Sequence, residues 1–393
     1  MLAHSPPFPL IIDYSNEFHK IPAEDEDEII LALEQRERVR RIRLRLPVPN
    51  MQRFITIIED EYPTLKYLVM ATPHENKSVS LMLIETFQAP DLRHLALGGL
   101  AIPIGSRLLT TAVGLVVLAL NTKNPSGYFQ PNTLLRWISF MPDLEILAVF
   151  SGSPVLSRDV ERQLMRAPIT THVTLPNLLK LRFRGASAYM EAFVRHITTP
   201  RLEKLQIGFS NKLTFSIPCF LQFMNTTENL GFSRARFLFS GEQVDLEAYP
   251  SPHEEVETYT LSIVVDCWDL DWQVSSAAQI SNALSQKFST IEHLTFEYLV
   301  HNRSSEKHNE VDPAAWRKLL GSFNNVKTLR IRDGLVGEFS RCLQLDDGEQ
   351  PLEIFPELQG LIFSKLSDVG GDAFTKFIDS RNNAGRSVTL TRG

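Results

Sequence analysis

The sequence predicts an α/β fold wound as a right-handed, horseshoe-like solenoid, with parallel strands on the concave face and helices on the convex face. The first observation is a recurring phrase: proline, any residue, leucine, two residues, leucine, one residue, apolar. Six copies carry the proline: Pro63-Leu65-Leu68-Met70, Pro90-Leu92-Leu95-Leu97, Pro142-Leu144-Leu147-Val149, Pro176-Leu178-Leu181-Phe183, Pro200-Leu202-Leu205-Ile207 and Pro356-Leu358-Leu361-Phe363. Four lack it: Val39-Ile42-Leu44, Leu115-Leu118-Leu120, Ile291-Leu294-Phe296 and Val326-Leu329-Ile331. The second observation is the spacing. Phrases begin at 39, 65, 92, 115, 144, 178 and 202, then at 291, 326 and 358, a period that belongs to stacked repeat arrays. The third is that amphipathic stretches separate the phrases.

Each element follows from these. The last two apolar positions of a phrase are two residues apart, so they share one face of a strand. The proline fits a strand entrance, where no ladder donor is needed. Helical spacing predicts helices over Asn50–Tyr62, Asp159–Met165, Ala188–Ile197, Val274–Phe288, Asp312–Phe323 and Asp372–Ile378. Ser157, Ser187, Asp312 before Pro313, and Asp372 after Gly370-Gly371 read as their caps. Strand, helix and strand in succession give parallel strands with right-handed crossovers. One repeat cannot bury its own apolar face, so stability is of the nearest-neighbour kind and the array needs end caps.

Residues 1–38 read as the first cap. Leu10–Tyr14 makes a strand and Ala23–Arg36 a helix, acidic at its start (Glu24 to Glu28) and basic beyond its end (Arg36, Arg38), as the helix dipole favours. Ile29, Ile30 and Leu33 would cover the first repeat. Residues 39–393 read as an irregular solenoid of about 12 units. The gap from 202 to 291 holds two degenerate units, at Leu230–Phe239 and Tyr259–Val265. Gly241–Glu257, His301–Val311 and Asp346–Pro351 read as loops, and Val388–Leu390 as the last strand.

A chain of 393 residues is too long for one ordinary compact core but not for a solenoid. With 43% hydrophobic and 22% charged residues it is built to fold. A net charge of −6 gives no broad pull toward nucleic acid or acidic lipid. Cys219, Cys267 and Cys342 are odd in number and far apart, which spells neither a disulfide framework nor a zinc spacing. The apolar run Phe8–Ile12 is too short for a signal peptide, and no run reaches membrane-spanning length. A cytoplasmic or nuclear protein with no membrane partner is expected, so the triplets at Asn76, Asn225 and Asn302 read as chance glycosylation matches.

The densest acid–aromatic cluster is Asp266, Asp269 and Asp271 with Trp268 and Trp272. A calcium loop needs a glycine that this segment lacks, so it reads as a strand end with packed tryptophans. Arg36, Arg38, Arg40, Arg41, Arg43 and Arg45 form a basic run that Glu24 to Glu28 balances on the same cap. No aromatics interleave it as a nucleic-acid platform would require. His94 and His293 lie on outward strand positions and His196 on a helix, with no metal spacing among them. No nucleophile motif, phosphate loop or dinucleotide fingerprint occurs. The expectation is a protein with no catalytic residue, no metal and no cofactor, hence not an enzyme.

Its working surface is expected on the outward strand positions: Arg43, Arg45, Val69, Ala96, Ala119, Ala148, Arg182, Arg184, Gln206, Thr295, Glu297, Arg330 and Arg332. The middle strands carry small apolar residues and the flanks carry arginines, a trough that suits a helix or extended peptide bearing acids. The blander account is that small residues merely suit a tight inner curve.

The phrases resemble a degenerate, long-period leucine-rich repeat. Longer strings go further: Asp25–Leu46 (DEDEIILALEQRERVRRIRLRL), Tyr128–Met141, Pro200–Ile207 (PRLEKLQI), Glu292–Glu297, and Asp312–Leu345 with WRKLL, NVKTLR and DGLV. These are similar to a large family of F-box proteins of mushroom-forming fungi, from about Pro7 onward. The resemblance implies repeats that recruit a substrate to a cullin-type ubiquitin ligase through the Skp adaptor. Residues 1–60 contain neither the Leu-Pro start nor the Cys-Arg-x-Trp-like end of an F-box. An adaptor partner is therefore expected only with an F-box upstream. The alternative is an F-box-less scaffold, an inert paralogue or a truncated gene product with no ubiquitin role.

Overall fold

A computed structural model describes residues 8–16, 19, 21–73, 81–122, 129–151, 171–210, 217–251, 258–299, 311–332, 334–343, 354–363 and 374–392. The chain divides into two compact units, Met1–Leu202 and Glu203–Gly393. The strand expected in the cap, Leu10–Ser15, pairs with Val39–Arg45 over its whole length.

The first unit contains β1 (Leu10–Ser15), α1 (Ala23–Leu33), β2 (Val39–Arg45), α2 (Val48–Ile57), β3 (Tyr67–Ala71), β4 (Leu81–Met82), β5 (His94–Gly98), β6 (Leu100–Ala101), α3 (Arg107–Thr111), β7 (Val117–Thr122), α4 (Pro131–Ile138), β8 (Ile146–Ser151), β9 (Val173–Thr174), β10 (Lys180–Gly185), α5 (Ser187–Val194) and β11 (Ile197–Thr198). Its long strands run in the order β1-β2-β3-β5-β7-β8-β10, all parallel. Two short parallel pairs, β4 with β6 and β9 with β11, lie apart from that sheet.

The phrase sets this core directly. Its second apolar position forms one lateral rib, Ile42-Leu68-Leu95-Leu118-Leu147-Leu181. Its third forms another, Leu44-Met70-Leu97-Leu120-Val149-Phe183. Its first, Leu65, Leu92, Leu115, Leu144 and Leu178, is fully buried beside them. Each such side chain contributes roughly 1.5–3 kcal/mol by leaving water.

The proline sits one step earlier than expected. In all six copies with proline, the residue before it accepts a hydrogen bond from the phrase's first leucine: Leu65 to Tyr62 (3.2 Å), Leu92 to Ala89 (3.1 Å), Leu144 to Met141 (3.2 Å), Leu178 to Leu175 (3.3 Å), Leu202 to Thr199 (3.3 Å) and Leu358 to Phe355 (3.0 Å). That is the second position of a β-turn, where the fixed φ of proline is pre-set. The proline-free copies at Leu115 and Ile291 close the same turn on Ala112 and Phe288.

Local signals fare unevenly. Helix α1 ends at Leu33, before Arg36, so its acidic first turn stands and its basic last turn does not. Ile29 and Leu33 are buried as expected. Ser187 is the first residue of α5 and makes no capping bond, since Ala186 holds the cap position. Helices α3 and α4 were not expected from the sequence. The expected helix at Asp159–Met165 and the cap at Ser157 lie outside the described residues, as do the loops 301–310 and 346–351, Gly370-Gly371 and Asp372.

The second unit contains β12 (Lys204–Phe209), α6 (Pro218–Thr226), β13 (Arg234–Phe239), β14 (Gln243–Tyr249), β15 (Leu261–Asp266), α7 (Leu270–Ala283), α8 (Ser285–Phe288), β16 (His293–Tyr298), α9 (Pro313–Leu320), β17 (Thr328–Ile331), α10 (Val336–Cys342), β18 (Gly360–Phe363), α11 (Thr375–Asn383) and β19 (Thr389–Arg392). Asp312 caps α9 as expected, its carboxylate accepting from the Ala314 amide at 2.9 Å with Pro313 at the first turn.

Strand order here is β12-β15-β14-β13-β16-β17-β18-β19. The stretch read as a loop at 241–257 contains β14, antiparallel to both β13 and β15. Its seven residues alternate, with Val244, Leu246 and Ala248 buried and Gln243, Asp245 and Glu247 half-buried. Acids and nearby glycine and proline hid that alternation. A two-residue loop, Gly241-Glu242, turns the chain; the Ser240 hydroxyl accepts from the Glu242 (3.3 Å) and Gln243 (3.2 Å) amides. Fully buried Gln273 of α7 pins this turn, donating to the carbonyls of Ser240 (2.8 Å) and Cys267 (2.7 Å).

The core of this unit is aromatic. Phe237 stacks on Phe296 (centroids 5.0 Å), Phe296 meets Phe339 (4.8 Å), and Trp316 packs against Phe239 (5.4 Å). At the carboxyl end, fully buried Arg381 of α11 donates to the carbonyls of Ile354 (3.4 Å), Phe355 (3.0 Å), Pro356 (3.2 Å) and Leu358 (3.3 Å). Phe355 holds a φ of 53°, a left-handed conformation rare for a residue with a Cβ. The guanidinium binds four carbonyls around that turn, the Phe355 carbonyl in addition to its bond from the Leu358 amide.

Candidate functional site

The expected surface is the sheet face opposite the buried ribs. In the first unit the outward positions form one lateral row, Asp13-Arg43-Val69-Ala96-Ala119-Ala148-Arg182. Six of those seven were singled out from the sequence; Asp13 was not. A second row, Ser15-Arg45-Ala71-Gly98-Asn121-Phe150-Arg184, runs beside it. Val69 and Ala148 are buried and Ala96 and Ala119 half-buried. Short side chains therefore floor a strip between Arg43 and Arg182. Five strand steps at ~4.8 Å put those two backbones about 24 Å apart.

The two ends of this strip differ. Asp13 lies 3.4 Å from Arg41 and 3.7 Å from Arg43. Arg41 also sits over the Tyr67 ring at 4.5 Å, and Tyr67 stacks on His94 at 4.3 Å. Burial, then the Arg41 charge, holds the His94 pKa below its usual value. At the other end, Arg182 has no hydrogen bond or ion pair among the described residues, and its Nε is buried without a partner.

The basic run is thus neutralised differently than expected. Arg36 pairs with Asp60, and Arg41 and Arg43 face Asp13, while Glu26 reaches Arg53 of α2 at 2.8 Å. For Arg36, Arg41 and Arg43 the partner is an acid outside Glu24 to Glu28.

In the second unit the row is Gln206-Ser262-Glu247-Arg236-Thr295-Arg330-Ile362-Thr391. The sequence marked Gln206, Thr295 and Arg330, and Glu297 and Arg332 on the adjacent strand positions. It missed Arg236, Asp245 and Glu247, which complete a mixed charge network. Arg236 meets Glu297 at 2.7 Å and Glu247 at 3.8 Å, Arg332 meets Glu297 at 3.7 Å, and Tyr249 donates to Glu247 at 2.6 Å. This flank is internally paired rather than basic. Asp245 is the exception: among the described residues it accepts only the Ser262 hydroxyl, at 3.3 Å. Burial, with the Glu247 charge, pushes its pKa up to about 7.

Elsewhere, Trp268 and Trp272 are 72% and 47% exposed, so they are not the packed tryptophans expected at the end of β15. The helix begins at Leu270, and its first turn projects Trp272 outward. His196 follows α5 rather than lying on it. Among the described residues no group of three His, Cys, Asp or Glu could hold a metal ion, and no helix is long and apolar enough to cross a membrane. Cys342 is buried, which pushes its thiol pKa up to about 12.

Comparison with protein-family models and with curated proteins returned no match for the chain.

Proposed function

We propose that the chain is a non-catalytic protein-interaction module, a leucine-rich-repeat-like solenoid whose outward strand face docks a protein ligand. One observation carries the reading. The repeated phrase aligns equivalent positions of successive strands in register, so the face opposite the ribs is a continuous strip of small side chains with arginines at its ends. Such a strip offers area and alignment for a bound segment. The resemblance to fungal F-box proteins supports substrate recruitment to a cullin-type ubiquitin ligase as the cellular role. Co-purification of a Skp adaptor would favour that role over the scaffold alternative.

A photo-crosslinking residue tests the docking face. Placed at Asn121, in the row beside the strip, it should yield protein adducts in cells. Placed at Thr110, on the exposed side of α3, it should not. Adducts from Thr110 alone, or from neither position, would sink the reading.

A further inference from the structure

We infer that the strip of the first unit takes a peptide segment whose Asp or Glu carboxylate pairs with Arg182 while its small apolar side chains lie over Ala148, Ala119 and Ala96. This rests on the docking reading above and adds the partner's chemistry and its polarity. The two arginine ends are not equivalent. Arg41 and Arg43 already face Asp13 at 3.4 and 3.7 Å. Arg182 faces no acid among the described residues. Its neighbours on the same face of β10 are Lys180 and Arg184, so three cations project at alternate positions of one strand. Their backbones are ~6.6 Å apart from one to the next, close enough for mutual repulsion.

Arg182 also lies beside Ala148, which is only 4% exposed. The Arg182 Nε is buried beneath the face, so an incoming carboxylate would meet the terminal nitrogens, in a bidentate geometry suited to a planar fork. The occupant is a peptide rather than a nucleic acid. A phosphate backbone needs cations at successive steps, and Ala148, Ala119 and Ala96 provide none.

The test is a random 16-residue peptide display library selected on the full chain. Enriched peptides should carry Asp or Glu beside small apolar residues. Arg182→Glu should weaken them at least about tenfold, and so should Ala119→Trp, which fills the strip. Peptides with the acid changed to lysine should then bind the Arg182→Glu chain, which also proves that it is folded. Peptides lost with Ala119→Trp but indifferent to Arg182→Glu would overturn the carboxylate pairing and leave the docking face standing. Peptides indifferent to both, or no enrichment, would overturn the pairing and the docking face together.

Discussion

In Met1–Leu202 each long strand is laid beside the one before it in chain order, whereas in Glu203–Gly393 the chain doubles back through β14 before order resumes at β16. Both units bury the phrase's apolar positions. They differ in what fills the core and in what the opposite face carries. The first has aliphatic ribs and a face of small residues; the second has stacked aromatics and a paired charge network. A repeated phrase therefore decides which side chains point inward but not which strand becomes the neighbour. A parallel step needs a crossover, while an antiparallel one needs only two residues. A hairpin can thus be inserted without disturbing the ribs on either side.

The largest expected effect tests the aromatic core. Phe237→Ala should cost about 3–5 kcal/mol by leaving a cavity among Phe239, Phe296 and Phe323. Amide exchange should quicken in β13, β16 and α9 while β5, β7 and β8 keep their protection. Equal loss in both units would mean that they unfold as one, and the contrast drawn above would fail.

Next comes the charge face. Burial raises the Asp245 pKa from 3.8 to about 7, so between those values the folded chain keeps a proton that the unfolded chain has lost. Stability therefore falls as pH rises through that window and stays lower above it. Asp245→Asn should remove the loss, gaining on the order of 2 kcal/mol near pH 8 and almost nothing near pH 4. Denaturant titrations at the two pH values check it; a gain of equal size at both would point to packing instead of ionisation.

The smallest effect compares turns. Pro142→Ala should cost roughly 0.4–1 kcal/mol through added freedom of the unfolded chain. Pro356→Ala should cost less, because four bonds from Arg381 already hold that turn. Thermal melts of the two variants decide it. Equal losses would show that the proline turn acts alone in both units.

Much of this was readable residue by residue. The ribs, from Leu68 to Leu181 and from Phe296 to Phe363, follow from the phrase, and so do Leu230–Phe239 and Tyr259–Val265 as degenerate strands. The helix cap at Asp312 was legible because a cap is local. Of the first-unit face, Arg43, Val69, Ala96, Ala119, Ala148 and Arg182 were legible because period-two alternation fixes their side. The role of Asp13 was not, since its partners lie on the next strand. Asp245 and Glu247 were lost with β14, whose acids resemble those of a loop. Buried Gln273 and Arg381 were equally hidden: a polar side chain inside a core is explained only by the carbonyls it meets.

By itself the amino-acid sequence determined the period and the inward and outward sides of most strands, because those depend on neighbours along the chain. Only the tertiary structure decided the inverted order around β14, the self-neutralised end at Arg41 and Arg43, and the guanidinium at Arg182 that meets no acid among the described residues. Strand adjacency and charge pairing are set by residues tens of positions apart, and no local pattern records which of the possible partners arrives.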